Sequence, residues 1–163
     1  MDVRKLQPRR LTAEEWRPFG WVPVADTDPA DGEHTLHFEW ADPHLNVIAH
    51  AHDEIEHRPD GAVVARMYRH ATHTQALMVL DVPSILAVAP GDLTFEDAAD
   101  LDSIVAFRLE PREVLVLHRG TWHWGPFPVG TEPVRLLNVQ GRRYAEDNDS
   151  VDIAAAGDVL VAG

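Results

Sequence analysis

Four side chains that bind metals or move protons stand out in the middle of the sequence: His70, Gln75, His118 and His123. Tyr68 and His70 are two positions apart, and four residues separate His70 from Gln75. A strand end presents Tyr68 and His70 on one face, and the next strand brings Gln75 to the same place after a tight turn. Imidazole and amide groups that converge in this way can ligate a divalent metal or orient a small polar substrate.

The predicted strand that ends at His70 carries polar residues on one face and apolar residues on the other. Alternate residues share a face, which places Arg66, Tyr68 and His70 together. The opposite face is apolar and consists of Val63, Ala65 and Met67. In an open sandwich the polar face would meet water, whereas in a small barrel it can line a ligand cavity while the apolar face packs outward on another layer.

Many short strands separated by Pro and Gly turns predict an all-β sandwich or barrel. The most regular strands are predicted at 63–70, 75–80, 84–89, 104–109, 114–118 and 134–139. Before them, Thr12 is placed to cap a short helix, with Glu15 three residues on as in a capping box. Residues 33–60 have a weak pattern that predicts a mobile loop, and the acidic tail after Glu146 is expected to lie over the surface.

The composition is that of an ordinary globular protein. With 163 residues, 45% hydrophobic and 25% charged, we expect one domain over residues 1–163 with its barrel core at about 61–145. The formal net charge of −13 disfavours nucleic acid and anionic membranes as partners, because both need a basic patch. No cysteine is present, so the ten histidines and the carboxylates are the available metal ligands. The absence of a long apolar run and of a signal-type N-terminus predicts a cytoplasmic protein.

The stretch Glu110–Trp124 resembles the second motif of the cupin superfamily. In that motif a turn leads into a strand, a Gly turn and a metal-binding histidine, and here Gly120 and His123 take the last two places. Residues 68–75 resemble the first cupin motif in their spacing. The resemblance implies a cupin-type double-stranded β-helix, which is a jelly-roll barrel, with a short N-terminal helix. The metal ligands that it implies are His70, Gln75 and His123.

Four segments resemble, in the same order, parts of the ureidoglycolate lyase family, whose members are cupin enzymes. These segments are Leu6–Gly20, Arg69–Leu77, Asp100–Phe107 and His118–His123. The resemblance extends from Leu6 to about Asp152, with a poor match over 28–60. Five positions depart from the family. Tyr68 replaces a glutamate, His73 a glycine and Trp124 a second histidine, and Ala71 and Gly125 replace prolines.

The resemblance implies an enzyme of allantoin degradation, within purine metabolism, that splits ureidoglycolate into glyoxylate and urea. A base must take the hydroxyl proton, the C–N bond breaks, and an acid must protonate the leaving nitrogen. We assign His118 as the general base or acid, since an unperturbed imidazole pKa of about 6.5 suits both roles. Tyr68 is a candidate proton donor or weak fourth ligand. Arg66, Gln75 and Trp124 are the candidate substrate contacts, with Arg66 matching the carboxylate bidentately.

Several alternatives stay open at this point. A His/His/amide set suits Zn, Mn, Fe or Ni equally. The family resemblance implies a homodimer, for which the apolar face of residues 63–67 is the expected contact. A cupin enzyme with another small carboxylate or amide substrate and a non-catalytic cupin that binds a small ligand are the rival functions. The five histidines between His34 and His52 are expected in a flexible surface loop, and His73 in a turn that faces solvent.

Overall fold

The computed structural model describes residues 3–25, 34–39 and 42–163. Within these ranges, short strands and one helix dominate. In chain order they are β1 (Val3–Leu6), β2 (Arg9–Arg10), α1 (Ala13–Trp16), β3 (Gly20–Trp21), β4 (Pro43–His50), β5 (His57–Arg58), β6 (Gly61–Val63), β7 (Arg66–Arg69), β8 (Gln75–Val79), β9 (Ser84–Ala89), β10 (Val105–Leu109), β11 (Val114–Leu117), β12 (Trp122–Pro128), β13 (Val134–Gly141), β14 (Asp149–Asp152) and β15 (Asp158–Val161). Short 3₁₀ turns occupy His52–Glu54 and Ala98–Ser103. The predicted all-β class is confirmed.

The strands form three sheets that lie in layers. Sheet A has the order β1-β15-β6-β5, sheet B has β14-β7-β12-β9-β10-β2, and sheet C has β3-β11-β8-β13-β4. Strands β1 and β2 join their sheets in parallel with β15 and β10, and the other described pairs are antiparallel. One hydrophobic core fills the space between sheets B and C, and a second lies between sheets A and B. Sheets B and C together form the jelly-roll barrel, which confirms the cupin-type fold.

The barrel interior between sheets B and C is filled by alternate residues of the facing strands. These include Leu77 and Val79 of β8, Leu86 and Val88 of β9, Phe107 and Leu109 of β10, and Leu136 of β13. Helix α1 covers this core with Trp16, whose ring meets Phe107 edge-on at 5.1 Å between centroids. As predicted, the Thr12 hydroxyl caps this helix by accepting a hydrogen bond from the Glu15 backbone N–H at 3.2 Å.

The second core, between sheets A and B, corrects the expected subunit contact. The predicted strand 63–70 is broken, with β6 in sheet A and β7 in sheet B. Val63 is 6% exposed and Met67 is fully buried, because sheets A and B cover them within the same chain. Of the predicted contact residues, Ala65 alone is exposed. The expectation that this face meets a second subunit is therefore wrong.

Two segments expected to lack regular structure carry strands. Strand β4 forms the edge of sheet C and pairs with β13 from His50 opposite Val134 to Pro43 opposite Gly141. The barrel thus begins well before residue 61, and His44 and His50 lie in a strand rather than in a loop. The acidic tail also pairs, since β14 joins β7 and β15 lies between β1 and β6. Of the predicted loop, residues 33, 40 and 41 lie outside the described part of the chain.

Candidate functional site

Polar side chains gather at one end of the barrel interior, where β7 runs into β8. The inward residues of β8 pass from Gln75 at this end to Val79 at the other, and those of β13 pass from Gln140 to Val134. A narrow space at the polar end is lined by His70, His73, Gln75, Leu117, His118, Thr121 and His123. The structure therefore brings together the four side chains that the sequence singled out. We call this group the inner cluster.

The imidazoles of His70 and His123 lie close together, and no described residue hydrogen-bonds to the Nε2 atom of either ring. Their ring centroids are 5.3 Å apart and their planes are tilted by 47°. The Nδ1–H of His70 donates to the backbone carbonyl of Asp147 at 2.7 Å, and that of His123 donates to the carbonyl of Thr121 at 3.1 Å. Each carbonyl fixes the proton on Nδ1, so each Nε2 keeps its lone pair for a ligand.

A chain of amides sets the orientation of Gln75. Its Nε2 donates to Asn138 Oδ1 at 2.8 Å, and Asn138 Nδ2 donates in turn to Asn46 Oδ1 at 2.9 Å. The carbonyl oxygen of Gln75 is buried and has no hydrogen-bond partner among the described residues. An acceptor left in this state is ready for a cation or for an N–H or O–H donor.

His73 belongs to the inner cluster, and the expectation that it faces solvent is wrong. It is 3% exposed, its ring stacks on that of His70 at 4.7 Å, and its Nδ1 lies 3.3 Å from a carboxylate oxygen of Asp147. Its Nε2 is buried without a partner among the described residues. No signal in the sequence identifies this residue, because Asp147 approaches it from a turn that follows β13, far along the chain.

Burial keeps these imidazoles neutral. It lowers the pKa of His70, and together with the neighbouring His70 it lowers the pKa of His73 to about 4 and that of His123 to about 3. Burial alone would raise the pKa of Asp147, but hydrogen bonds from Thr72 and Ala71 outweigh it and lower the pKa. The cluster therefore pairs neutral acceptors with one ionised carboxylate at neutral pH.

His118 connects the inner cluster to a larger cavity that opens to solvent. This outer cavity, of about 690 Å³, is lined by Trp21, His34, Thr35, Arg69, Ala71, Thr74, His118, Arg119 and Gly120. Burial and the nearby His34 lower the pKa of His118. Trp21 packs against both rings, parallel to His34 at 5.5 Å and tilted to His118 at 5.6 Å. At neutral pH His118 is therefore mainly unprotonated. It lies at the boundary between the outer cavity and the inner cluster.

The other predicted site residues lie in three different places. Tyr68 is directly opposite His123 in the β7–β12 pair and half-buried, so both side chains share the inner face of sheet B. Arg66 is exposed and lines neither the outer cavity nor the inner cluster. Trp124 is 4% exposed in the core between sheets A and B. Because it is next to His123 along β12, its side chain points to the opposite face, and the structure does not bring it to the inner cluster.

The donor set at this site consists of two imidazoles and an amide. Among the described residues, no group of three or more histidines and carboxylates is arranged to hold a metal ion. His73 does not extend the pair of His70 and His123 into such a group, because its ring lies nearly parallel to that of His70, with 19° between the planes. Two stacked rings direct their in-plane lone pairs along separate lines, so they do not meet at one ion.

Comparisons with known proteins identify the family. Within the part of the chain that the structure describes, no helix has the length and apolar character needed to cross a membrane. No curated protein matches the sequence significantly. The model of one family, described as ureidoglycolate lyase, matches residues 3–160. The chain therefore belongs to the ureidoglycolate lyase family, a cupin-related family of lyases.

Proposed function

We propose that this protein splits ureidoglycolate into glyoxylate and urea at the polar end of its barrel. The observation that carries the proposal is the convergence of His70, Gln75 and His123 beside a cavity of about 690 Å³, in a chain that matches the lyase family over residues 3–160. A cavity of this size accommodates a small polar acid together with ordered water.

His118 acts as the general base in this proposal. Its lowered pKa keeps the imidazole unprotonated, so it can take the hydroxyl proton of a substrate that sits in the outer cavity. The hydroxyl oxygen then forms the carbonyl of glyoxylate, and the electrons of the C–N bond move to the ureido nitrogen. Protonated His118 or the phenol of Tyr68 returns a proton to that nitrogen, which completes urea.

Arg119 is our candidate for the substrate carboxylate, in place of the predicted Arg66. It lines the outer cavity beside His118, and its ion pair with Glu39 is largely exposed, so exchanging that partner for a substrate has a small energetic cost. Arg69 also lines the cavity, but its guanidinium is engaged by Asp149 and by the carbonyl of Gly91. We therefore assign Arg69 a structural role.

The inner cluster fits a divalent metal. Two imidazoles that bind one ion through Nε2, at about 2.1 Å, place their ring centres roughly 5 Å apart, and the observed separation of His70 and His123 is 5.3 Å. The side-chain oxygen of Gln75, to which no described residue donates a hydrogen bond, supplies the third donor. When bound, Zn, Mn, Fe or Ni would polarise an oxygen of the substrate and stabilise its developing negative charge.

We further propose a cytoplasmic homodimer that associates through the outer face of sheet C. Leu45 and Val47 of β4 are 64% and 56% exposed, and they lie opposite Val139 and Leu137 of β13. An uncharged patch suits self-association of a chain with a net charge of −13, because other contacts would bring like charges together. Val47→Glu should give monomers by light scattering, whereas Val3→Glu, on sheet A, should not. A wild-type monomer at micromolar concentration would contradict this proposal.

The test of the catalytic proposal follows glyoxylate and urea release together with metal content. Wild-type protein should release both products in equal amounts from ureidoglycolate. His123→Ala should lose turnover and bound metal, whereas the control His57→Gln, in sheet A, should lose neither. Full turnover and full metal content in His123→Ala would remove the basis of the proposal. Turnover of a different small ureido or amide acid, without glyoxylate release, would favour the alternative substrate.

A further inference from the structure

His73 is packed more tightly than is usual for a residue in a loop. Its ring is nearly parallel to two neighbouring rings, that of Phe38 with 6.2 Å between centroids and that of His70 with 4.7 Å. At Gly141, at the end of β13, an added Cβ would lie 2.9 Å from His73 Nδ1. A glycine at this place leaves the room that the imidazole occupies.

Asp147 holds both the backbone and the ring of this loop. Its carboxylate accepts hydrogen bonds from the backbone N–H groups of Ala71, at 3.0 Å, and Thr72, at 2.7 Å, and it lies 3.3 Å from Nδ1 of His73. The carbonyl of the same residue accepts from Nδ1 of His70. Asp147 is thus a positioning residue that keeps the proton of His73 on Nδ1, which leaves Nε2 as an acceptor.

Two buried acceptors in the inner cluster, His73 Nε2 and Gln75 Oε1, have no hydrogen-bond partner among the described residues. Leaving such groups unpaired in a protein interior is unfavourable, so they require donors from outside the chain. One metal ion does not bind both His73 and His70, because their rings are stacked. A ureido group carries N–H donors and lacks charge, which suits neutral acceptors in a buried site.

We propose that Nε2 of His73 accepts an N–H hydrogen bond from the ureido group of the substrate and thereby selects for ureido compounds. This inference rests on the proposed function and deepens it, because it assigns the leaving group to a residue that stands where the family has glycine. His118, which is exposed and lines both the outer cavity and the inner cluster, must turn aside to admit the group. Asp147 contributes indirectly, by fixing the tautomer.

The experiment measures binding of urea and of glyoxylate separately, by NMR titration of the histidine ring protons in the metal-free protein. His73→Met and His73→Gln form a matched pair, because the two side chains have similar volume and only glutamine keeps a strong acceptor. We expect His73→Met to weaken urea binding about tenfold, the effect of one lost hydrogen bond to a buried group. His73→Gln should retain most of the affinity, and glyoxylate binding should change in neither variant.

The outcomes separate this inference from the proposed function. Equal urea affinity in wild type and His73→Met overturns the role of His73 even if the protein is an active lyase. Equal loss of urea and glyoxylate binding also overturns it, because that result indicates general damage to the site. Urea binding that depends on His73 in a protein without lyase activity supports the ureido subsite and overturns the proposed reaction. Metal content should be unchanged in both variants, and its loss would make His73 a ligand instead.

Discussion

The two ends of the barrel interior are built from the same strands and differ in chemistry. At one end, which we call the closed end, Val79 of β8 and Leu136 of β13 are fully buried and lie opposite each other in register. At the other end, Gln75 and Gln140 occupy the corresponding inward positions of those strands, with His123 across from them on β12. Apolar packing dominates the first end, where Ser84 Oγ at the start of β9 is buried without a partner among the described residues. At the second end, two acceptors, Gln75 Oε1 and His73 Nε2, lack such a partner.

The contrast indicates that one end provides stability and the other provides chemistry. Burying Gln75 Oε1 and His73 Nε2 without partners is unfavourable by about 1–3 kcal/mol for each group. Such an arrangement persists because the rest of the core compensates for it, as strained groups at functional sites generally require. Substitutions at the two ends should therefore separate stability from activity.

The largest effect is expected at the closed end. Leu136→Ala should lower the free energy of unfolding by about 3 kcal/mol, because it removes a fully buried side chain and leaves a cavity. Urea denaturation measures this change, and the activity per folded molecule should stay near that of wild type. A loss below about 1 kcal/mol would show that this end is not the stabilising one.

His123→Leu should give the opposite result. Leucine fills a similar space and has no polar atom to desolvate, so the free energy of unfolding should stay within about 1 kcal/mol of wild type. Turnover should fall at least about 100-fold, as expected when a group at the reaction centre is lost. Denaturation and glyoxylate release on the same preparation test both statements, and parallel loss of stability and turnover would erase the distinction between the ends.

The sequence alone was enough to predict the strands of the closed end and part of the candidate site. Short apolar runs bounded by Pro or Gly turns located β8 to β11 and β13, and the spacing around His70 and His123 located two of the converging imidazoles. Strand β4 was missed because its exposed face carries Leu45 and Val47 while its half-buried face carries Asn46 and His50, the reverse of the usual burial pattern. The packing of His73 depends on Gly141 and Asp147. Spacing in the sequence does not show that these distant segments come together in the fold.

Acidification from neutral pH to about pH 4 should destabilise the polar end. The pKa values of His73, about 4, and His123, about 3, lie below that of an unfolded histidine, so below about pH 6.5 the unfolded chain binds more protons than the folded one. Their contribution to stability is therefore complete above pH 6.5 and is lost as the pH falls toward 4. The metal-free protein should lose about 1.4 kcal/mol per pH unit for each such group. His123→Leu should show a shallower slope, and an unchanged slope would place the titration elsewhere.

The smallest expected effect concerns His118 at the mouth of the cluster. Burial and then His34 lower the pKa of His118, so the acidic limb of the rate profile should lie below pH 6.5. Asparagine tolerates the left-handed backbone of His34, where φ is 49°, so His34→Asn removes the imidazole without straining the chain. This variant should move the acidic limb upward by a few tenths of a pH unit, and added salt should move the wild-type limb in the same direction by screening. A limb that responds to neither change, but disappears in His118→Gln, would leave His118 as the base and burial as the cause of its shift.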